Sequence, residues 1–477
     1  MTKKIRKNTQ HIIEITAVTT KGFGIGHIDG FLIFVDGGLP DDQLQIHIVK
    51  VKARYGYGKI IDIIKPSPSR IKSPCAVSDK CGGCQWQHCE YNAQLKFKKQ
   101  IVIDALEKIG GITQNGIVQD VIGMATPQRY RNKSIFPVVS KENENISDSL
   151  MCTSFVIGMY AARSHRIVEV ADCNIQHSAH VPILAKVSEY MQQNKITPYN
   201  ETTHTGIMRH IMIRVGFSTN EIMVVLVTNM QKQKLLPHEE TLIEMLSSVG
   251  ATTVLVNSNQ AKGNVILGED FRLLSGSGYI HDNIGSVVYQ ISPPSFFQVN
   301  PIQTKMLYDI ALKQANIEEN GEEIVLDAHV GAGGVALYVA KNKKIKQVIG
   351  VDIVQAAIDD AKKNAALNGI ENAQFICGAA EEIIPKLVST NECDLPLKTC
   401  TPNIVFLDPP RKGCETILLN TLIEAKIKRI IYISCDPATL ARDIKKLTDG
   451  GYKLIVAQPV DMFPMTGKVE VSCLLEI

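Results

Sequence analysis

The chain has 477 residues, 45% of them hydrophobic. That is more than one hydrophobic core usually spans, so roughly two to four domains are expected. It has no run of about 18 apolar residues. Residues 1–10 (MTKKIRKNTQ) also lack the apolar stretch of a secretory signal, so we expect a cytoplasmic protein without a membrane partner. The net charge is only +3, but residues 1–70 hold 11 Lys and Arg against 6 Asp and Glu, which favours a polyanionic partner there.

Residues 11–65 predict a small β-barrel. Short β-favouring runs such as IIEITAV and LQIHIVKVKA alternate with turns rich in Gly, Pro and Asp, which is typical of a small antiparallel barrel. The linker PSPSR then breaks the pattern, so the first domain is assigned to residues 1–68. The stretch GFGIGHIDGFLIFVDGGLP, followed by the basic KVKARYGYGKIIDI, resembles the TRAM domain, an OB-like barrel that binds RNA. The alternative is a small β-domain whose lysines are only solvated.

The stretch CAVSDKCGGCQWQH at residues 75–88 holds three of the twelve cysteines. In a reducing compartment, cysteines are free thiols, metal ligands or catalytic groups more often than disulfides. The glycine pair lets the backbone fold closely around an inorganic centre. Three thiolates leave one position of a four-ligand centre open, and the best fourth ligand is Cys173, with Cys89 and His88 as rivals. The spacing fits zinc and a [4Fe–4S] cluster equally, and buried thiols without metal are a third possibility.

The C-terminal part, residues 276–477, predicts a doubly wound α/β sheet. EEIVLDAHVGAGGVAL contains an apolar strand ending at Asp327, a glycine-rich turn that includes Gly331, and the start of a helix. A second strand, KQVIGVDI, ends at Asp352, an acid suited to accept hydrogen bonds from ribose hydroxyls. Polar residues after NIVFL and RIIYIS fall where such sheets bind ligands. A dinucleotide-binding dehydrogenase domain is the alternative, but DPPR and the cysteine at the next strand end favour methyl transfer.

Cys435 is the candidate nucleophile of this region. It follows the strand RIIYIS and precedes DPATLARD, a predicted helix N-terminus. We expect its sulfur to face the cleft beside backbone N–H donors that favour the thiolate. A thiol with a pKa of about 8.5 is only about a few per cent ionised at neutral pH, so such a position would increase the reactive fraction. A lone cysteine is more often a core residue, but the polar flank SCDP argues against that here.

Several motifs together resemble one family. CGGCQWQH, FFQVN, FLDPPRKG, YISCDPATLARD and the late VEV are similar to the RNA uracil-5 methyltransferases, in particular to iron–sulfur members with an N-terminal TRAM domain that act on 23S ribosomal RNA. The resemblance runs over nearly the whole chain and assigns residues 69–275 to a central α+β domain with the cluster site. It implies a C-terminal Rossmann-like methyltransferase domain and RNA as the partner, with transfer RNA as the alternative substrate. We expect a monomer, because a large RNA would cover much of the surface.

The resemblance also implies roles for individual residues. The [4Fe–4S] ligands fall on Cys75, Cys81, Cys84 and Cys173. The residues that would hold S-adenosylmethionine are Gln298, His329, Gly331, Asp352 and Asp408. Cys435 would be the nucleophile and Glu470 the general base. Uracil C5 is a poor nucleophile until a soft nucleophile adds at C6, and the C5 proton must then be removed by a base within about 3 Å.

Four positions depart from the family pattern. His329 stands where an aromatic side chain usually packs near the cofactor, Lys468 where histidine is usual, and Asp436 and Ala379 replace an asparagine and a polar residue. These changes weaken the expectation of cofactor affinity and leave open a catalytically decayed RNA-binding protein. A cytosine-5 methyltransferase also uses a cysteine, but SCDP with a downstream VE favours the uracil enzyme. The basic run at residues 129–133 (RYRNK) is either a set of RNA backbone contacts or an ordinary solvated charge run.

Overall fold

The computed structural model describes residues 5–141, 155–318, 321–342, 344–388 and 401–477. Within these ranges the chain forms, in sequence order, a β-barrel, a mixed α+β unit and a doubly wound α/β unit. Each helix in the described ranges is too short or too polar to cross a bilayer.

The N-terminal barrel is built from five strands: β1 (Gln10–Val18), β2 (Phe23–Ile28), β3 (Phe31–Asp36), β4 (Gln43–Val51) and β5 (Tyr55–Lys65). They close in the order β1-β2-β3-β5-β4, which confirms the predicted barrel. The β3–β5 pair is parallel, so the expectation of a wholly antiparallel barrel was wrong. Because successive side chains of a strand point to opposite faces, alternate apolar residues such as Ile13, Ile15 and Ile33 fill the interior.

The central unit contains a seven-stranded sheet with the order β12-β11-β10-β9-β6-β7-β8. Its strands are β6 (Lys133–Ser140), β7 (Phe155–Tyr160), β8 (Ile167–Glu169), β9 (Met208–Val215), β10 (Ile222–Thr228), β11 (Thr253–Ser258) and β12 (Asp270–Ser275). The helices of this part of the chain are α1 (Tyr91–Lys108), α2 (His180–Gln193) and α3 (Glu239–Ser247). A hairpin, β13 (Ile280–Ile284) with β14 (Val287–Ile291), follows. Strands β9 and β10 are buried along their whole length, because α2 and α3 cover one face of the sheet and the hairpin covers the other.

The C-terminal unit confirms the predicted doubly wound sheet. Its strands are β15 (Glu323–Asp327), β16 (Ile345–Asp352), β17 (Ala373–Cys377), β18 (Ile404–Leu407), β19 (Arg429–Ser434), β20 (Lys453–Val460) and β21 (Glu470–Glu476). Its helices are α4 (Pro301–Ala315), α5 (Gly334–Ala340), α6 (Gln355–Leu367), α7 (Ala380–Val388), α8 (Thr416–Glu424) and α9 (Pro437–Asp449). The order β17-β16-β15-β18-β19-β21-β20 is parallel from β17 to β19, and β21 runs antiparallel to both of its neighbours.

Helix α1 packs against the C-terminal unit although it precedes the central sheet in sequence. Val102 and Leu106 of α1 belong to the same buried cluster as Leu440 and Ala441 of α9. Glu90 begins the helix by accepting hydrogen bonds from two backbone N–H groups of the first turn. Parts of the chain on either side of residue 276 therefore share one hydrophobic core.

The 461–469 connector joins β20 to β21 and reaches the cysteine-rich segment. The Met465 carbonyl accepts hydrogen bonds from the backbone N–H groups of Gln85 and Trp86, at 3.1 and 3.0 Å. The Lys98 ammonium of α1 forms a buried ion pair with Asp461, a carboxylate that also accepts a hydrogen bond from the Tyr91 hydroxyl. These contacts fix the chain just before Glu470.

Candidate active site

Three acidic side chains stand at the carboxyl ends of neighbouring parallel strands. Asp327 ends β15, Asp352 ends β16, and Asp408 directly follows β18. Strand β15 lies between the other two, so the three carboxyls share one edge of the sheet, where α/β sheets bind their ligands. Burial raises the pKa of Asp327 and that of Asp408, in each case to about 7. Strongly perturbed acids of this kind are common in active sites.

The glycine-rich turn after β15 is organised by Asp352. Its Oδ2 accepts a hydrogen bond from the Gly331 N–H at 3.0 Å, and its Oδ1 accepts one from Val354 N–H at 2.9 Å. Gly331 has a φ of +52°, which favours glycine, and no atom lies within 4 Å of where a Cβ would stand. The turn is therefore open on that side and leaves room for a ligand beside Asp352.

His329 lies in the same turn with one unused polar atom. In the described part of the chain its Nδ1 is buried without a hydrogen-bond partner. Burial lowers the pKa of the imidazole, so the ring is neutral near pH 7. A neutral, buried ring nitrogen without a partner fits a site that receives a polar ligand such as the ribose or adenine of S-adenosylmethionine.

Gln298 lies on the segment between β14 and α4. Its carbonyl oxygen accepts a hydrogen bond from the Asn132 side-chain amide at 2.9 Å, and the next carbonyl, that of Val299, accepts one from Asn132 N–H, also at 2.9 Å. These contacts tie the segment to the central unit. Among the described residues, no hydrogen bond or ion pair joins Gln298 to Asp352 or Asp408, so its predicted place in the cofactor site stays a prediction.

Cys435 and Glu470 lie at the same end of the antiparallel β19–β21 pair. Ser434, the last residue of β19, stands opposite Val471. Cys435 follows Ser434 and Glu470 precedes Val471, and Glu470 is close enough to raise the pKa of Cys435. Glu470 is also held from the other side, opposite Val460 of β20. The register thus brings the two predicted reactive residues together, although 35 positions separate them in sequence.

The charges around Cys435 contradict the expected stabilisation of its thiolate. Burial, together with the carboxylates of Glu470 and Asp408, raises the pKa of Cys435 to about 11, although Arg411 lowers it. The helix donors that we expected to help are used elsewhere. Asp436 caps α9 and accepts hydrogen bonds from the N–H groups of its first turn, and Pro437 at the first helical position has no N–H. In the free protein Cys435 is therefore a protonated thiol.

The four predicted ligand cysteines line one cavity. Cys75, Cys81, Cys84 and Cys173 surround a volume of about 480 Å³. Burial, with a smaller contribution from the other three cysteines, raises the pKa of the Cys84 thiol to about 12. The segment is held by β-bridge contacts, since Gly82 N–H donates to the Tyr160 carbonyl at 2.9 Å.

The two rival ligands lie outside this cavity. The His88 ring is hydrogen bonded to the Gly37 carbonyl at 3.1 Å, and the Cys89 thiol donates to the Glu90 carbonyl at 3.5 Å. Arg131 and Lys133 do line the cavity. In the described ranges no three His, Cys, Asp or Glu side chains are spaced as ligands of a single metal ion. The four sulfurs thus share a cavity without forming a closed mononuclear site.

The comparisons with known proteins identify the family. A profile described as tRNA (Uracil-5-)-methyltransferase matches residues 206–477, and a TRAM domain profile matches residues 10–61. An uncharacterized RNA methyltransferase from Halalkalibacterium halodurans is 42% identical over 98% of both chains. One from Clostridium tetani is 43% identical, over 99% of this chain and 97% of its own. The chain belongs to the RNA uracil-5 methyltransferase family.

A solved structure supports the same assignment for the whole architecture. The Pyrococcus abyssi tRNA (uracil-54, C5)-methyltransferase, in complex with S-adenosyl-L-homocysteine, superposes with a TM-score of 0.72 at 25% identity. The match covers 98% of this chain and 100% of that one. As a member of the uracil-5 methyltransferase family, this chain is an S-adenosylmethionine-dependent enzyme that acts on RNA.

Two cations of this methyltransferase site, Arg411 and Lys468, were not predicted as site residues from the sequence. Arg411 lowers the pKa of Cys435, and Lys468 lies close enough to interact with both Cys435 and Glu470. Burial lowers the pKa of Lys468 itself, and Arg411 lowers it further. Arg411 follows Asp408 in the motif DPPRK, and Lys468 was noted only as a departure from histidine. Both residues are close in sequence to motif residues, which could have marked them as candidates for the site. Closeness in sequence does not show which way a side chain points.

Proposed function

We propose that the chain methylates C5 of a uridine in structured RNA, with Cys435 as nucleophile and Glu470 as general base, and that 23S ribosomal RNA is its substrate. The observation that carries this proposal is the proximity of Cys435, Glu470 and Asp408 at one edge of the sheet. A soft nucleophile and a buried carboxylate on neighbouring strands are what addition at C6 and proton removal at C5 require. The target base must be flipped out of a stack, or taken from a loop, to reach them.

In the proposed reaction the thiol proton of Cys435 passes to solvent, and the sulfur bonds to uracil C6. The C5–C6 π electrons move toward the C4 oxygen, and C5 becomes nucleophilic. C5 then takes the methyl group, with S-adenosylhomocysteine as the leaving group. Glu470 removes the C5 proton, and the electrons of that C–H bond restore the C5–C6 double bond as the sulfur of Cys435 departs. Burial and then the neighbouring Asp408 raise the pKa of Glu470 well above its usual range, while Lys468 and Arg411 lower it and so oppose the protonation of the base.

Most of the residues proposed to bind the cofactor lie at the carboxyl edge of the C-terminal sheet. Bound S-adenosylmethionine supplies the methyl group on a sulfonium whose positive charge favours the Cys435 thiolate. The residues proposed to hold it are Gln298, His329, Gly331, Asp352 and Asp408. The open turn at Gly331 and the unpartnered Nδ1 of His329 support this assignment. A cationic cofactor held by these residues would offset the carboxylates near Cys435 and would favour its thiolate.

We also propose that Cys75, Cys81, Cys84 and Cys173 hold a [4Fe–4S] cluster. Four thiols around one cavity form a complete donor set for such a cluster. Methyl transfer moves no electrons to the cluster, so its proposed role is to hold the segment that contacts the connector.

Two observations favour different RNA substrates. The resemblance to iron–sulfur members with a TRAM domain favours 23S ribosomal RNA. The structural match over the full chain, however, is named for transfer RNA uracil-54, so transfer RNA is the second candidate.

The deciding experiment is methylation of unmodified transcripts of 23S ribosomal RNA and of transfer RNA with labelled S-adenosylmethionine. 5-Methyluridine would be identified by nucleoside mass spectrometry. We expect label in the ribosomal transcript. Label in transfer RNA alone would correct the substrate, and no label in either, from protein that binds RNA and carries iron, would favour the decayed binder.

A further inference from the structure

The outer surface of the N-terminal barrel carries four aromatic rings on three adjacent strands. They are Phe23 of β2, Phe34 of β3, and Tyr55 and Tyr57 of β5, and we call them the aromatic face. Phe34 stands opposite Tyr57 in the β3–β5 ladder. Neighbouring ring centroids are 5.5–6.4 Å apart, and most pairs meet edge to face. The rings thus form one continuous surface.

The barrel does not use these rings for its own core. Gly24, Gly56 and Gly58 alternate with them along β2 and β5 and point inward. A Cβ at Gly58 would lie only 2.7 Å from Ile46 Cδ1, so the interior has no room for a larger side chain there. Among the described residues, the four rings are partly exposed and lie outside the buried cluster of the barrel. In ordinary core packing the large apolar side chains point inward. Here the glycines point inward and the aromatic rings lie on the outer surface of the barrel.

One cation contacts the aromatic face, and two more are near it in sequence. The guanidinium of Arg163, from the central unit, lies 5.0 Å from the ring centre of Phe23 and pairs with Asp36, which neutralises that acid. Lys52 and Arg54 are exposed just before Tyr55 in sequence. Proteins bind single-stranded nucleic acid with aromatic side chains next to basic ones. The bases stack on the aromatic rings, and the basic side chains contact the phosphates.

The barrel that carries the aromatic face packs against the connector that leads to Glu470. Gly22, beside Phe23, packs on Gln85, and a Cβ there would clash with that side chain. Gly467 of the connector packs so closely on the same turn that a Cβ would lie 2.8 Å from the Thr19 carbonyl and 3.0 Å from Gly22 N. Both glycines are buried, so this contact anchors the barrel beside the connector, and only two residues separate Gly467 from Glu470.

We propose that the aromatic face stacks unpaired nucleotides that flank the target uridine. This inference rests on the proposed RNA methylation for the identity of the RNA, and it adds the surface that binds the flanking segment. An unpaired segment is the occupant because stacking needs exposed base faces, which a continuous duplex does not offer.

The test compares two variants with the unsubstituted chain. Tyr55→Leu combined with Tyr57→Leu keeps apolar side chains but removes two rings. Ile12→Ala removes apolar surface elsewhere on the barrel, where Ile12 is 62% exposed. Binding of a short oligouridine and of a blunt RNA duplex is measured at one salt concentration, without S-adenosylmethionine. We expect the double variant to bind oligouridine about tenfold more weakly, while duplex binding and the Ile12→Ala variant stay unchanged.

Photocrosslinking provides a measurement that does not depend on a variant folding. An oligouridine carrying 5-iodouridine, irradiated on the unsubstituted chain, should attach to a peptide that contains Phe23, Phe34, Tyr55 or Tyr57. Crosslinks only elsewhere, unchanged oligouridine affinity, or an equal loss of duplex affinity would each overturn the aromatic face as a stacking surface. A chain that crosslinks there but methylates no RNA would refute the proposed function alone. A chain that methylates without these crosslinks would refute only this inference.

Discussion

Two regions of the molecule collect reactive side chains, and different forces hold them together. At the sheet edge, Asp408, Cys435 and Glu470 extend from the ends of neighbouring strands, so the β-ladder hydrogen bonds fix their positions. In the cysteine cavity, Cys81, Cys84 and their partners extend from loops. Burial raises the thiol pKa in both places, but only the cavity gathers four groups of the same kind.

This difference indicates which region depends on its bound group. Four thiolates in one buried cavity repel one another unless a positive centre compensates them. The sheet edge carries Lys468 and Arg411 as cations of its own, so its geometry does not require the cofactor. The connector links the regions, because Met465 receives the hydrogen bonds of the cysteine segment and the chain then runs to Glu470. Substitutions in one region should therefore leave the reactivity or the metal content of the other region measurable by itself.

The largest effect is expected for Cys435→Ala. Without the sulfur no bond to C6 forms, so methyl transfer should fall on the order of 10⁴-fold or more. RNA with 5-fluorouridine at the target should trap a covalent complex on the unsubstituted chain, because fluorine cannot leave as a proton. The variant should show no complex on a denaturing gel. The control is Cys414→Ala, which removes a buried thiol of the neighbouring core. A complex that persists in Cys435→Ala would mean that another residue is the nucleophile.

Cys84→Ser tests the cavity. Loss of one proposed ligand should reduce iron bound to anaerobically purified chain from about four per molecule to a small fraction. The unfolding temperature should fall too, because metal binding contributes to folding. Iron and sulfide analysis, visible absorption and a thermal melt measure these effects. Cys89→Ala is the matched control, since that thiol is near in sequence but does not line the cavity. Equal iron in both variants, or zinc in the unsubstituted chain, would rule out the cluster.

The sequence predicts strand-end residues better than it predicts their partners. Asp327 and Asp352 could be placed at one edge because parallel strands end on the same side of a sheet. The pairing of Cys435 with Glu470 needs the antiparallel register of β21, which motif spacing does not contain. The expected direction of the Cys435 pKa shift was wrong because burial raises the pKa, as do carboxylates that come from other strands.

Loop sites are harder to derive from sequence. The cysteine spacing indicated a shared centre, but the docking of Gln85 and Trp86 on Met465 joins segments about 380 residues apart, and no local pattern encodes that contact. The aromatic face was also missed. Alternation of glycine and aromatic residues along β2 and β5 is visible in GFGIG and YGYG, but only closure of the barrel shows that glycine is the inward residue.

Glu470→Gln should reduce turnover by about 10²–10⁴-fold, the usual contribution of a general base. The loss should fall on the last step, because C5 is methylated before its proton leaves. A covalent protein–RNA complex containing a methylated base should therefore accumulate with ordinary uridine RNA, as a gel shift with labelled methyl groups would show. Glu476→Gln, at the far end of the same strand, serves as the control. Full turnover in Glu470→Gln would transfer the role of base to Asp408.

The smallest effect concerns the cation beside the nucleophile. Arg411 lowers the pKa of Cys435, so Arg411→Gln should raise it, and less thiolate exists at any pH below that value. Alkylation by iodoacetamide, which consumes thiolate, should become about two- to fivefold slower at pH 8 to 9, the effect expected of one exposed charge. The reaction at Cys435 is followed by peptide mass spectrometry without RNA or cofactor.

Lys412→Gln provides the comparison, because Lys412 is equally exposed and is paired with Glu415. Its alkylation rate should match that of the unsubstituted chain. If both variants slow the reaction equally, the effect is general surface charge and Arg411 has no specific contact with the site. If neither does, the carboxylates alone set the reactivity of Cys435, and the cofactor must supply all of the positive charge that ionises it. The sheet edge would then depend on its bound group as strongly as the cysteine cavity does.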